Sequence, residues 1–145
     1  MKYTLADFIA MNVRSFPDRP AIEVLGSAQE SYTFREMWLR VSALADRLRE
    51  VPPGPHGPVA ATLLANGADA LLLYLAGQVG GCAIVPVNTR LAEPEIAHIV
   101  NDSGAALICS GGDLLGAAGL SEQELLAVAE DARRDGAFGL KWPPD

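Results

Sequence analysis

The chain has 145 residues, the size of one domain, and half of them are hydrophobic. Its 18 acidic and 11 basic residues give a formal net charge of −7, and the basic residues do not cluster. Because nucleic-acid binding requires clustered Lys and Arg, we expect no nucleic-acid partner. Cys82 and Cys109 both fall inside predicted strands. We therefore interpret them as buried apolar side chains and expect a cytoplasmic protein.

Neither a secretion signal nor a membrane span is predicted. Asp7 interrupts the apolar pattern of the N-terminus. Residues 70–89 carry no charge and would be long enough to cross a bilayer, but three glycines and Pro86 interrupt them. A helix, a glycine turn and a strand account for the same residues, so we interpret the segment as part of a folded core.

The N-terminal third predicts a helix, a hairpin and a second helix. Thr4 precedes the first helix, which ends before Pro17, and residues 20–25 and 31–34 predict two strands joined by a turn. Thr33 and Glu36 then form a capping box. The apolar face of the first helix comprises Leu5, Phe8, Ile9 and Val13. The second helix carries a mixed-charge face that we expect to be solvated, with Arg35, Arg40, Arg47 and Arg49 beside Glu36, Asp46 and Glu50.

The middle of the chain predicts strands that alternate with helices. After a loop of prolines and glycines at 51–58, residues 58–64 form a buried strand, and Asn66 caps a helix over 67–79. That helix is apolar nearly all round, so we expect it between two layers. Residues 82–87 predict a strand buried on both faces that ends near Pro86.

A third helix and strand complete this pattern. Pro94 suits the first helical turn, Glu93 and Glu95 favour its positive dipole end, and Gly104 is a left-handed stop before a strand at 105–109. The apolar face is formed by Ile96, Ile99 and Val100. The order indicates a layered α/β fold, with a mostly parallel partial sheet of right-handed βαβ units, an N-terminal helix and a hairpin.

The last 35 residues form a separate segment of uncertain assignment in our interpretation, with residues 1–110 as the folded subdomain. Ser121 and Glu124 make a capping box for a helix that runs to Arg134, and residues 136–145 resemble a frayed tail.

We assign no catalytic, cofactor-binding or metal-binding residue from the sequence. His56 and His98 lack zinc-ligand spacing to a cysteine or to each other. The carboxylates of Glu93, Glu95 and Asp102 are explained by the ends of one helix. Residues 110–113, Ser-Gly-Gly-Asp, follow a strand but lack the lysine of a phosphate loop, so a turn is the simpler interpretation.

Several short motifs occur in an order that resembles the N-terminal region of the adenylate-forming superfamily. They are L-A-D-F at 5–8, F-P-D-R-P-A-I at 16–22, S-Y-T-F-R-E-M at 31–37, V-A-A-T-L-L-A-N-G at 59–67, Y-L-A at 74–76 and G-C-A-I-V-P-V-N at 81–88. The ending Asn88-Thr89-Arg90-Leu91 resembles fatty-acid and aryl-acid CoA ligases more than nonribosomal peptide adenylation domains. The similarity extends from Thr4 to about Cys109.

The resemblance implies ATP-dependent activation of a carboxylic acid to an acyl-adenylate, followed by transfer to CoA, with ATP, Mg²⁺ and CoA needed by a full-length member. The family's phosphate loop and catalytic lysine match no position here. We therefore expect a truncated ligase region that binds no cofactor and is inactive alone, with self-association or the missing ligase segments as partners. A stand-alone interaction or regulatory module is the alternative, and an independent small α/β enzyme is a third.

Overall fold

The computed structural model describes residues 3–26 and 31–110, which form four helices and six strands. In chain order these are α1 Leu5–Ser15, β1 Pro20–Glu23, β2 Ser31–Thr33, α2 Phe34–Leu48, β3 Pro53–Gly54, β4 Gly57–Leu63, α3 Ala68–Gly80, β5 Ala83–Pro86, α4 Glu93–Ser103 and β6 Leu107–Ser110. The predicted helix over 121–134 and the predicted tail lie outside the described residues.

Strand β4 is the centre of the main sheet. It pairs in parallel with β5 on one side and with β6 on the other, so that Ala61 lies opposite both Val85 and Ile108. The short β3 pairs antiparallel with the start of β4, and β1 and β2 form a separate antiparallel hairpin. The predicted α/β class, the parallel sheet and the N-terminal hairpin are confirmed.

Helices cover both faces of this sheet, because alternate residues of β4 point to opposite sides. Ala60 belongs to the larger core cluster, which contains the buried side chains of α2 and α3. Ala61 belongs to a smaller cluster beneath Ile96 of α4. Helix α1 lies against α2 and α3 and buries Ile9 and Val13 there.

Helix ends follow the local sequence signals with one exception. Thr4 and Thr33 form capping boxes with Asp7 and Glu36, and Gly104 ends α4 in the left-handed conformation, with φ of 67°. The prediction that Asn66 caps α3 is wrong. The N-cap is Gly67, whose extended backbone provides no capping side chain.

Three apolar segments are less buried than the sequence predicts. Strand β5 leaves Ala83 and Pro86 exposed, since among the described strands it pairs only with β4. Helix α3 does pack between α2 and the sheet, as predicted, but one side is open, because Leu71 and Tyr74 are 42% and 44% exposed. In α1, Leu5 and Phe8 of the predicted apolar face are likewise exposed.

Arg40 also departs from expectation, because it is buried rather than solvated. Only 4% of the residue is exposed, and its guanidinium carbon lies 4.6 Å from the centre of the Tyr32 ring. Arg49, by contrast, is exposed and pairs with Asp46 as a surface residue would. The sequence spacing predicts Arg40 on the same solvated face as the other arginines of α2. In the structure, Tyr32 of the β1–β2 hairpin packs over Arg40 instead.

No helix among the described residues is both long enough and apolar enough to cross a bilayer. Residues 70–89 instead form most of α3, a turn at Gly81 and strand β5.

Candidate ligand-binding groove

A groove of about 770 Å³ lies at the carboxyl ends of β4 and β5, beside the start of α3. Open α/β sheets bind ligands at this edge, because the loops that follow parallel strands meet there. The polar and aromatic side chains that line the groove are those of Thr62, Asn66, Tyr74, Asn88, Thr89 and Arg90. The groove is the strongest candidate for a binding site in the described part of the chain.

One wall of the groove is a turn that forms because β5 ends at Pro86. Just beyond it, the Val87 amide donates a 2.8 Å hydrogen bond to the Thr62 carbonyl, which ties the turn to β4. The Asn88 side-chain oxygen then accepts a 2.9 Å hydrogen bond from the Arg90 amide. Asparagine favours such turns because its side chain replaces a backbone acceptor. This turn places Thr89 and Arg90 at the groove.

The opposite wall comes from α3 and the residues that precede it. Asn66 and Tyr74 lie on this side, and the Tyr74 ring is exposed to the groove and to solvent. Helix α3 starts at Ala68 without a side-chain cap. Its first amide groups carry a partial positive charge, which the carboxylate of Asp69 in the same turn offsets in part.

The electrostatics of the groove favour an anion. Arg90 carries the only formal charge among the described residues that line it, and the side chain is exposed. Thr62 adds a hydroxyl on a residue that is only 5% exposed. The lining contains no carboxylate, histidine or cysteine within the described part of the chain. This arrangement can bind an anionic group beside an apolar one.

Two titratable groups with perturbed pKa values lie outside the groove. The backbone amide of Thr4 and then its hydroxyl donate to Asp7, which lowers the pKa of that carboxyl. Burial raises the pKa of the Cys82 thiol, so it stays protonated and unreactive. Both effects follow from the fold and identify no catalytic group.

Among the described residues, the histidines and carboxylates that the sequence offers as candidate functional groups do not line the groove. His56 and His98 are exposed on separate elements. Glu95 accepts a 2.9 Å hydrogen bond from the Ala92 amide, which agrees with its predicted role at the start of α4. The described residues contain no group of three potential metal ligands. Residues 111–113 of the Ser-Gly-Gly-Asp segment lie outside the described part.

The groove is not predicted by any one segment of the sequence. Asn66 by itself resembles a helix cap, and Asn88 and Thr89 by themselves indicate a turn after a strand. One sequence feature could have predicted the groove: residues 66 and 88–90 each follow a predicted parallel strand. The carboxyl ends of neighbouring parallel strands lie at one edge of the sheet, so these residues would be expected to lie close together.

The sequence profile of a family described as AMP-binding enzyme matches residues 9–137. The match covers most of the chain. This chain belongs to the AMP-binding enzyme family. The expected relationship to adenylate-forming ligases is therefore confirmed.

Relatives within the AMP-binding family include both peptide synthetases and CoA ligases. The chain is 34% identical over 94 residues to malpibaldin synthetase of Mortierella alpina, a match to 65% of this chain and 2% of that protein. It is 31% identical over 86 residues to a long-chain-fatty-acid–CoA ligase of Mycobacterium tuberculosis, a match to 57% of this chain and 17% of that protein. The chain thus spans less than a fifth of each of these relatives.

A solved AMP-binding structure with the same fold is the NpsA N-terminal subdomain of Klebsiella oxytoca, in complex with 3-hydroxybenzoyl-AMSN. The TM-score is 0.74 at 23% identity, and the match covers 97% of this chain and 35% of that one. At this identity the likeness establishes the fold alone. The predicted architecture, that of the N-terminal part of an adenylate-forming enzyme, is confirmed.

Proposed function

We propose that this chain forms the N-terminal region of an AMP-forming ligase that uses CoA as its acyl acceptor. The complete reaction joins a carboxylate to the α-phosphorus of ATP with release of pyrophosphate. The CoA thiol then attacks the acyl carbonyl, and AMP leaves. In this proposal the described residues supply scaffold and a binding surface for the acceptor. They supply no group that takes part in the bond changes.

The main support for CoA as the acceptor is the position of Arg90 at the groove. CoA is rich in phosphate groups, and a guanidinium binds phosphate through charge-assisted, often bidentate, hydrogen bonds. The chain has a net charge of −7. Arg90 is nevertheless positively charged, and the other described residues that line the groove are uncharged, so the groove attracts an anion locally. The Asn88 turn holds the backbone at Arg90, which supports binding rather than a purely solvated role.

ATP and Mg²⁺ would be bound by other ligase segments, because the family's phosphate loop and catalytic lysine match no position in this sequence. Stabilising charge at a reacting phosphorus needs cations placed around it. The chain by itself should therefore exchange no pyrophosphate into ATP and form no acyl-CoA. Its natural partner in this proposal is a ligase segment that carries the phosphate loop and the lysine.

The experiment co-expresses the 145-residue chain with such a segment from a related CoA ligase. We expect the two to co-purify and to release AMP when given both a carboxylic acid and CoA. Arg90→Ala should raise the KM for CoA about tenfold, which corresponds to the loss of one charge-assisted contact worth about 1.4 kcal/mol. It should leave acid-dependent pyrophosphate exchange unchanged, because that half-reaction does not involve CoA.

Arg49→Ala is the matched control, since Arg49 is an exposed arginine on α2 and does not line the groove. It should change neither measurement. An active pair that adenylates an acid but makes no CoA ester would instead support a peptide-synthetase type of enzyme. Failure to associate with several related segments, by a chain that is itself folded, would favour the stand-alone module.

A further inference from the structure

Helix α1 presents an apolar surface that no described residue covers. We define the α1 outer face as Tyr3, Asp7, Phe8, Met11 and Arg14, which surround a shallow groove of about 440 Å³. Tyr3 is 65% exposed, and Phe8 and Met11 are each 49% exposed. The opposite side of the helix buries Ile9 and Val13 against the core, so packing inside the described fold does not account for the outer face.

The concentration of large apolar side chains here exceeds ordinary surface scatter. Of eight exposed large hydrophobic residues in the described ranges, three belong to the α1 outer face, namely Tyr3, Phe8 and Met11. The rings of Tyr3 and Phe8 are 5.9 Å apart and already form a tilted aromatic pair. Single exposed apolar residues are normal on a soluble protein, whereas a contiguous patch indicates an interaction surface.

The charges on the α1 outer face are arranged in a self-complementary way. Asp7 is in the first turn of α1 and Arg14 is in the last turn. They are seven residues apart, or about 10 Å along the axis, and Met11 lies between them on the same side. If a second α1 lies antiparallel across the first, each Asp7 faces the other copy's Arg14, and Met11 comes close to the two-fold axis.

We propose that the α1 outer face binds the same face of a second copy of this chain, as an antiparallel helix pair about a two-fold axis. Such an isologous contact brings Asp7 of each copy close to Arg14 of the other and covers Phe8 and Met11 in both copies. An anionic membrane fits less well, because the chain has a net charge of −7 and the described residues of this face include one acid and one base. This interface is independent of the CoA groove.

Sedimentation equilibrium of the 145-residue chain at several concentrations tests the proposal. We expect a dimer, and we expect Met11→Glu to weaken dimerisation at least tenfold by placing two carboxylates near the axis. Leu25→Glu is the matched control, because Leu25 is 95% exposed and lies outside the α1 outer face. It should leave the dimerisation constant within about twofold of the parent. Circular dichroism should report the same helix content in all three proteins.

A charge exchange provides a second, independent measurement. Asp7→Lys places a lysine opposite Arg14 and should weaken the dimer. Adding Arg14→Glu to that variant restores opposite charges and should recover at least part of the affinity. Both variants lack the Asp7 cap of α1, and Arg14→Glu also places an acid in the last turn of the helix, which weakens α1. A recovered affinity in the double variant would therefore come from the contact between copies and not from a more stable helix. Asp7 and Arg14 lie on the same side of α1 but about two turns apart, which is too far for a direct ion pair within one helix.

Three results would overturn this assignment. The first is a monomer at every concentration. The second is a dimer that Met11→Glu leaves unchanged, which would place the contact at a sheet edge or elsewhere. The third is a monomer that binds phosphatidylglycerol vesicles through Met11, because the surface would then recognise lipid rather than a second copy.

Discussion

Gly77 of α3 lies directly against Ile84 of β5, so closely that the fold has no room for a side chain at position 77. A β-carbon there would lie 2.9 Å from Ile84 Cδ1 and 2.7 Å from the Cys82 carbonyl oxygen. The carbonyl belongs to the backbone and cannot rotate away. The glycine therefore sets how closely α3 approaches the sheet, and with it the position of the α3 wall of the groove.

Gly77→Ala should destabilise the chain despite the better helix propensity of alanine. Overpacking costs about 1–3 kcal/mol, which outweighs the roughly 1 kcal/mol that alanine gains over glycine in a helix. We expect the free energy of unfolding in urea to fall by about 1 kcal/mol. Gln78→Ala, at the next and exposed position of α3, is the control and should change it by less than about 0.5 kcal/mol. An unchanged midpoint for Gly77→Ala would mean that α3 can move outward freely.

Thr33→Ala should cost about 1 kcal/mol of stability, because the Thr33 hydroxyl accepts a 3.2 Å hydrogen bond from the Glu36 amide at the start of α2. Thr33→Ser keeps the hydroxyl and should retain most of the stability. Thermal unfolding of the two variants provides the measurement. Equal melting temperatures for alanine and serine would show that the cap contributes little.

Acid should remove the contribution of the Asp7 cap. The hydrogen bonds from Thr4 lower the pKa of Asp7 below its ordinary value of 3.8. A lowered pKa in the folded state gives stability that is present above about pH 3.8 and is lost as the pH falls through the folded value. Asp7→Asn should therefore flatten the dependence of unfolding free energy on pH in that window.

Thr4→Ala is the control for the Asp7 experiment. It removes the hydroxyl but keeps the backbone amide of residue 4, whose hydrogen bond is the larger cause of the shift. Most of the pH dependence should therefore remain. If Asp7→Asn and the parent lose stability in parallel down to pH 2, another carboxyl group accounts for the acid sensitivity.

Arg40 should couple energetically to Tyr32. Its Nε has no hydrogen-bond partner in the described structure, and its guanidinium lies over the Tyr32 ring. Arg40→Met should leave the free energy of unfolding unchanged or raise it by about 1 kcal/mol, since replacing a buried charge by an apolar side chain is often favourable. Tyr32→Leu should lower it by about 1 kcal/mol with Arg40 present.

A double-mutant cycle separates the contact from simple packing. Tyr32→Leu should cost less when residue 40 is Met than when it is Arg. A coupling energy near zero would show that the ring and the guanidinium are only neighbours.

Much of the fold could be predicted because its signals are local. The bounds of α2 and the start and end of α4 depend on Thr33, Pro94 and Gly104, whose hydrogen bonds and backbone conformations involve residues only three or four positions away. The parallel direction of β4, β5 and β6, though not which of them is central, follows from the alternation of strands and helices. The family motifs lie in the same elements, so the resemblance and the residue patterns lead to one architecture.

The candidate site could not be predicted in the same way. Asn66 and Arg90 are far apart in sequence. They line the same groove only because β4 and β5 pair in parallel. Either residue alone is explained by its own turn. The sequence indicates which strands are present, whereas a shared groove depends on which strands are neighbours.

The amino-acid sequence by itself determined the family, the α/β class and the capping box at Thr33, because these depend on short motifs and on contacts between nearby residues. Only the tertiary structure decided that β4 rather than β5 is central, that Arg40 is buried, and that Phe8 and Tyr74 are exposed. Burial depends on partners distant in the chain, and apolar strands and helices look alike in sequence whether one side or both sides are covered.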